Sequence, residues 1–259
     1  MNNNPTIEKL KAGFLSGNRY SLARLITLLE NEDPAAPEIR NWVSSRLSGA
    51  LRIGITGSGG VGKSSLIDRL ISVIRNKGLT VGVAAIDPSS AFTGGALLGD
   101  RIRMQRHNDD DGVFIRSIAS RGSLGGLAKS IDGIINLMDA FGLNVILVET
   151  TGVGQTEVNI SNTADLTVLV MVPGYGDEIQ LMKAGQLEFA DIIVVNKADR
   201  EGAEELATGI EDVFMLKSNE EPPPVIMTQS NNNIGIEELY KVIENQRTIL
   251  QSRRAKSVT

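Results

Sequence analysis

Cysteine is missing from this 259-residue chain, and histidine occurs once, as His107. Without thiols there are no disulfides and no thiolate nucleophile, and a transition metal would find no thiolate and at most one imidazole ligand. A basic excess is missing too. Lysine and arginine number 26 against 31 aspartates and glutamates, a net charge of −5, so nothing in the balance points to nucleic acid. The run Arg253-Arg254-Ala255-Lys256 is short and reads as part of a solvated basic tail, 252–259. Long apolar stretches are also lacking: the longest is about seven residues, where a membrane span needs ~20. The opening Met1-Asn2-Asn3-Asn4 has neither the basic region nor the apolar core of a signal peptide. A cytoplasmic protein without membrane contact is expected.

What is present is enough chain for one sizeable α/β domain with a small appendage. Residues 1–50 read as a helical extension. Helices are expected over 6–14, over 20–30 (Leu22, Leu25, Ile26 and Leu29 fall at helical spacing) and over 38–48, after the Pro34 and Pro37 breaks. Over 51–251 short apolar runs alternate with amphipathic stretches. That alternation predicts βαβ units, giving a mostly parallel sheet with helices on both faces. Strands are expected at 51–56, 80–86, 113–117, 144–149, 166–172, 191–195 and 224–228, and helices at 63–77, 97–106, 124–140, 178–188, 202–217 and 235–251. Runs such as Val145-Ile146-Leu147-Val148 are apolar throughout, as strands covered on both faces require.

Gly57-Ser58-Gly59-Gly60-Val61-Gly62-Lys63-Ser64 has the pattern Gly, four residues, Gly-Lys-Ser, between an apolar strand and a helix-like stretch that opens at Ser65. Strand, glycine loop and helix in that order separate a phosphate cradle from a chance match and predict a P-loop NTPase fold. Backbone N–H groups of Gly57, Gly59, Gly60, Val61 and Gly62 converge on an anion, and the helix N-terminus adds partial positive charge. Lys63 would reach the β- and γ-phosphates, and the Ser64 hydroxyl would ligate Mg²⁺. The ligand is a nucleoside triphosphate.

Asn196-Lys197-Ala198-Asp199 follows the apolar strand at 191–195. A carboxylate at Asp199 accepts hydrogen bonds from the N1–H and exocyclic amine of guanine. Adenine offers the opposite pattern on that edge, so Asp199 selects GTP, with Lys197 along the base plane. Glu149-Thr150-Thr151-Gly152 ends another strand. Glu149 can hold Mg²⁺ through water and the Gly152 amide can touch the γ-phosphate, which couples the segment to nucleotide state. Many GTPases place a water-orienting glutamine directly after this glycine. Here Val153 stands there, and the nearest glutamine is Gln155, a candidate for catalysis only if the loop is remodelled. Slow intrinsic hydrolysis follows. Asp87 and Asp100, on a stretch rich in glycine, are further candidates for the Mg²⁺ shell; Asp87 alternatively caps a turn. Pro173-Gly174-Tyr175-Gly176-Asp177-Glu178 is either a second nucleotide-sensing loop or an ordinary βα turn capped by Asp177.

Taken together these segments are specific. The chain resembles the MeaB/ArgK-type GTPases, the G-protein chaperones of adenosylcobalamin-dependent acyl-CoA mutases such as methylmalonyl-CoA mutase. The matching segments include 17–30, the phosphate loop, Ile86-Asp87-Pro88-Ser89-Ser90, Glu149-Thr150-Thr151-Gly152-Val153-Gly154-Gln155-Thr156-Glu157, 173–183 and 190–199. The resemblance implies that Asp87, Asp100 and Glu149 surround Mg²⁺ with Ser64, and that Asp177, Glu178 and Lys183 belong to an additional switch sensing nucleotide and mutase. It also implies that GTP hydrolysis to GDP gates cofactor loading or protection on that partner. Two departures stand out. The Ser-Ala pair that contacts guanine O6 in the family is Gln229-Ser230 here. Family members also commonly carry a long C-terminal dimerisation arm, whereas this chain stops after the helix at 235–251, so a homodimer is expected to be weakened.

Three rival readings share the phosphate loop, and one of them, a pure binding module that uses GTP as a structural ligand, is opposed by the intact Mg²⁺ constellation. A nickel-insertion GTPase needs Cys and His ligands that this chain lacks. A phosphotransferase of the ArgK-type kinase name needs an acceptor pocket, and no segment stands out as one.

Overall fold

The computed structural model describes residues 6–87, 104–107, 109–119, 124–150, 163–174, 186–217 and 222–257. Among them are seven strands: β1 (Leu51–Thr56), β2 (Val81–Asp87), β3 (Val113–Ala119), β4 (Val145–Glu149), β5 (Leu166–Met171), β6 (Ile192–Asn196) and β7 (Val225–Thr228). They form one sheet in the order β3-β2-β4-β1-β5-β6-β7, and every neighbouring pair is parallel. The chain therefore steps outward on one side of β1, returns to insert β4 beside it, and continues to the other side. Such a reversal leaves a crevice at the carboxyl ends of the central strands, where open α/β sheets bind ligands.

Alternating residues of each strand feed opposite faces. One face packs α4 (Lys63–Asn76) and α7 (Ile236–Ser257) over Ile53, Ile55, Leu147, Val168 and Val194. The other carries α5 (Leu124–Ala140) with the N-terminal helices α1 (Ile7–Leu15), α2 (Arg19–Glu30) and α3 (Ala36–Ser44) over β2, β3 and β4, and α6 (Ala203–Lys217) over β5 and β6. The N-terminal helices share their core with the sheet: Leu22, Leu25, Ile26 and Leu29 are fully buried in one cluster with Ile146 and Val148. Asn18 starts α2 by accepting a hydrogen bond from the Ser21 amide.

The expected P-loop NTPase-type α/β architecture is present, with strand limits within a residue or two of expectation. Four helices differ. The helix expected at 38–48 is Ala36–Ser44. Pro37 sits in the first turn, where a missing N–H costs nothing, and the Ser48, Gly49 and Ala50 amides donate to the Asp139 carboxylate instead of extending the helix. The helix expected at 97–106 lies mostly outside the described residues, and its described end, Gln105–His107, is a 3₁₀ turn. Similarly 178–185 lies outside them and Gln186–Phe189 is 3₁₀. The last helix runs to Ser257, past 251, because no glycine or proline after Gly235 stops it.

Candidate active site

Between the end of β1 and the start of α4 the chain makes the tight loop that the glycines permit. Gly57 has φ +135°, and a Cβ there would run into the Val170 carbonyl oxygen of β5. Gly62, at φ +97°, holds the N-terminal boundary of α4, and a Cβ there would strike the Asn196 amide nitrogen. The loop is thus pressed against β5 and β6 so closely that only hydrogen fits. Lys63 is buried and donates from Nζ to the Gly57 carbonyl (2.7 Å) and the Ser58 carbonyl (3.0 Å). These are the loop's own acceptors, and an incoming phosphate would compete for the same ammonium.

Ser64 lies in the first turn of α4 and Glu149 ends β4, which β1 pairs directly. The Ser64 hydroxyl donates to Glu149 Oε1 at 2.8 Å, with both residues buried. Asp87 ends β2, two positions beyond the Ala85–Glu149 register pair. A hydroxyl and a carboxylate side by side are hard oxygen donors, and they suit Mg²⁺ rather than a softer ion. Among the described residues no group of three or more His, Cys, Asp or Glu converges; Asp100 lies outside them.

Asn196 ends β6 and joins the phosphate side to the base side. Its Nδ2 donates to the Val61 carbonyl (2.9 Å), while Oδ1 accepts from Thr228 Oγ1 (3.1 Å), Ser230 N (3.2 Å) and Ser230 Oγ (2.9 Å). Lys197, in the left-handed region at φ +56°, reaches back to the Gly60 carbonyl at 2.7 Å. Burial, with Arg200 nearby, pushes the Lys197 ammonium below its ordinary pKa against the opposing pull of Asp199. A cavity of about 340 Å³ is lined by Gly60, Gly62, Lys63, Ser64, Ser65, Glu149, Asn196, Lys197, Asp199, Gln229, Ser230 and Asn231. Phosphate-loop, metal and base-reading candidates therefore face one space. Gly152, Gln155, Asp177, Glu178 and Lys183 lie outside the described residues.

The family model described as "Methylmalonyl Co-A mutase-associated GTPase MeaB" matches residues 22–258. The chain belongs to the MeaB family. A putative GTPase of Pyrococcus abyssi is 52% identical over 250 residues, 95% of this chain and 76% of that protein. The mitochondrial methylmalonic aciduria type A homolog of Caenorhabditis briggsae is 38% identical over 210 residues, 75% of this chain and 51% of that one. The crystal structure of a LAO/AO transport system kinase superposes with a TM-score of 0.74 at 25% identity, covering 98% of this chain and 78% of that one. As a MeaB-family protein the chain is a P-loop GTPase, and guanine nucleotide is its ligand.

Some site residues escaped the sequence reading. Thr228 and Asn231 carry no motif of their own, and Arg69 on α4 donates to the Ser230 carbonyl (3.0 Å) and the Asn231 carbonyl (3.4 Å). Its neighbour Asp68 is buried and accepts from Arg106 Nε (2.7 Å), with His107 Nε2 at 3.1 Å. Only long-range pairing reveals these roles.

Proposed function

We propose that this GTPase acts as a timed chaperone of an adenosylcobalamin-dependent acyl-CoA mutase, with GTP hydrolysis gating cofactor loading or protection on that partner. The observation that carries the hydrolytic part is the Ser64–Glu149 contact inside the nucleotide cavity. It ties the first turn of the phosphate-binding helix to the end of β4, after which the chain runs on to Gly152, the candidate γ-phosphate contact. The mutase as partner is supported by the family's description and by the mitochondrial relative's name.

Ser64 and Glu149 would hold Mg²⁺, with Asp87 and Asp100 completing its surroundings. The ion, when bound, neutralises charge on the phosphate oxygens. The chain's own residues do the rest. The phosphate loop binds and orients the triphosphate, Lys63 exchanges loop carbonyls for phosphate oxygens, and Asp199 reads the guanine edge. Val153 follows Gly152 where many GTPases carry glutamine, so the isolated chain hydrolyses GTP slowly. Asp177, Glu178 and Lys183 form the segment through which the mutase accelerates turnover. Co-purification with the mutase encoded in the same genome, in GDP and in a non-hydrolysable GTP analogue, tests the pairing. Nucleotide-dependent association supports it; no complex in either state contradicts it.

A further inference from the structure

The turn that closes the base side of the cavity, Ser230–Asn232, is held from three directions. Its own loop closes on itself, with Gln229 N donating to the Ile234 carbonyl and Ile234 N returning to the Gln229 carbonyl. From the sheet, Asn196 Oδ1 accepts from the Ser230 amide and hydroxyl. The third hold comes from the phosphate-binding helix itself. Arg69, four residues beyond the cavity-lining Ser65 on α4, donates from Nε to the Ser230 carbonyl at 3.0 Å and from Nη2 to the Asn231 carbonyl at 3.4 Å.

We infer that Arg69 is a positioning residue for guanine recognition, setting the 230–231 backbone against the O6 edge of the base from the helix that holds the phosphates. The inference rests on the guanine reading of the cavity and adds to it a residue outside the motif. Ser230 is held on both of its backbone groups, the N–H by Asn196 and the C=O by Arg69, so the peptide planes on either side of its Cα are each fixed by one hydrogen bond. A planar guanidinium fork suits two successive carbonyls in a way that an ammonium does not. Arg69 does not line the cavity, whereas Gln229, Ser230 and Asn231 do; its influence on the base passes through the turn. Because Arg69 and Ser64 share one helix, the fork ties the 230–231 backbone to the phosphate cradle. Asp199, on the loop after β6, reads the other part of the base edge and is not in this linkage.

Analogues altered at different points of the base edge probe the arrangement. Inosine diphosphate lacks the exocyclic amine that Asp199 reads but keeps O6. The diphosphate of 2-aminopurine riboside keeps the amine but lacks O6 and, with it, the N1–H that Asp199 also reads. That second loss is common to wild type and the Arg69 variants and cancels when their preferences are compared. Calorimetric affinities of wild type, Arg69→Ala and Arg69→Lys are measured for GDP, both analogues and pyrophosphate. The expected result is that Arg69→Ala loses roughly tenfold of the preference for GDP over the 2-aminopurine analogue, the equivalent of one good hydrogen bond. Its preference for GDP over inosine diphosphate and its pyrophosphate affinity stay as in wild type, and Arg69→Lys falls between. If both preferences stay unchanged, or fall together with pyrophosphate affinity, the positioning role is wrong. A wild-type chain that binds ADP as tightly as GDP would instead contradict the guanine reading beneath it.

Discussion

The Ser64 hydroxyl lies 2.8 Å from Glu149 Oε1, although 85 residues separate them in the chain. The parallel pairing of β1 with β4 makes this possible, because the loop that leads from β1 into α4 and the last residue of β4 lie at the same carboxyl end of the sheet. Glu149→Gln keeps the shape and the hydrogen-bond acceptor for Ser64 but removes the charge that would face a metal. GDP affinity is expected to stay within about threefold, less than ~1 kcal/mol. Mg²⁺-dependent hydrolysis is expected to fall by at least ~10², the scale of one removed electrostatic stabiliser. Single-turnover rates across a Mg²⁺ titration check this; a wild-type rate would remove Glu149 from the metal site.

Base choice should hinge on Asp199. Asparagine there reverses one donor–acceptor match, so Asp199→Asn should lose GDP affinity and gain xanthosine diphosphate affinity. The loss should be at least about 1–3 kcal/mol, the cost of an unmatched polar group in a closed site. Competition binding with the two diphosphates reads the exchange directly.

Asn196 is 2% exposed and serves four hydrogen bonds at once. Asn196→Ala would strand the Val61 carbonyl, Thr228 and Ser230, each worth about 1–3 kcal/mol if left buried and unmatched. Nucleotide affinity and stability should therefore fall together. Urea unfolding beside GDP titration would show both, in contrast to Arg69→Ala, where stability is expected to change little.

Much of this was legible locally. The phosphate loop and the 196–199 segment are contiguous, and the strands are short apolar runs bounded by polar turns, so each could be read from its own residues. What stayed hidden depends on partners far away in sequence. Arg69 meets a turn 161 residues later, and no periodicity signals that. Asp139 looks like an ordinary polar residue near the end of a helix. In the fold it accepts amides from Ser48, Gly49 and Ala50 and pairs with Arg52 at 2.9 Å, which is why α3 stops early. Pro37 looks in the sequence like a break before a helix, but in the first turn it is compatible with the helix itself.

That Asp139 network predicts acid sensitivity. Burial alone would push its carboxyl up, but the Arg52 and Ser48 hydrogen bonds, with the backbone amides, hold it below the ordinary carboxylate value of 3.8. A group depressed in the folded state adds stability above its unfolded pKa and loses it as pH falls toward the folded one. Wild type should therefore lose stability as pH falls below about 4, and Asp139→Asn should remove this group's share of that loss. At pH 7 Asp139→Ala should cost about 3–5 kcal/mol, as expected when a buried ion pair loses one partner. Denaturant melts from pH 3 to 7 test both statements.

We propose that this GTPase is slow by itself and is completed by an acyl-CoA mutase. Val153 stands where many GTPases carry their water-orienting glutamine, and Lys183 and Asp177 lie on the segment proposed to sense the partner. The most direct measurement is single-turnover GTP hydrolysis with and without the adenosylcobalamin-dependent mutase of the same genome, in a complex verified by size-exclusion chromatography. Stimulation is expected, below the ~10³–10⁵ of the best-studied activated GTPases, and it should largely vanish in Lys183→Ala or Asp177→Ala while GDP affinity is kept. An unchanged hydrolysis rate in the verified complex would contradict the account.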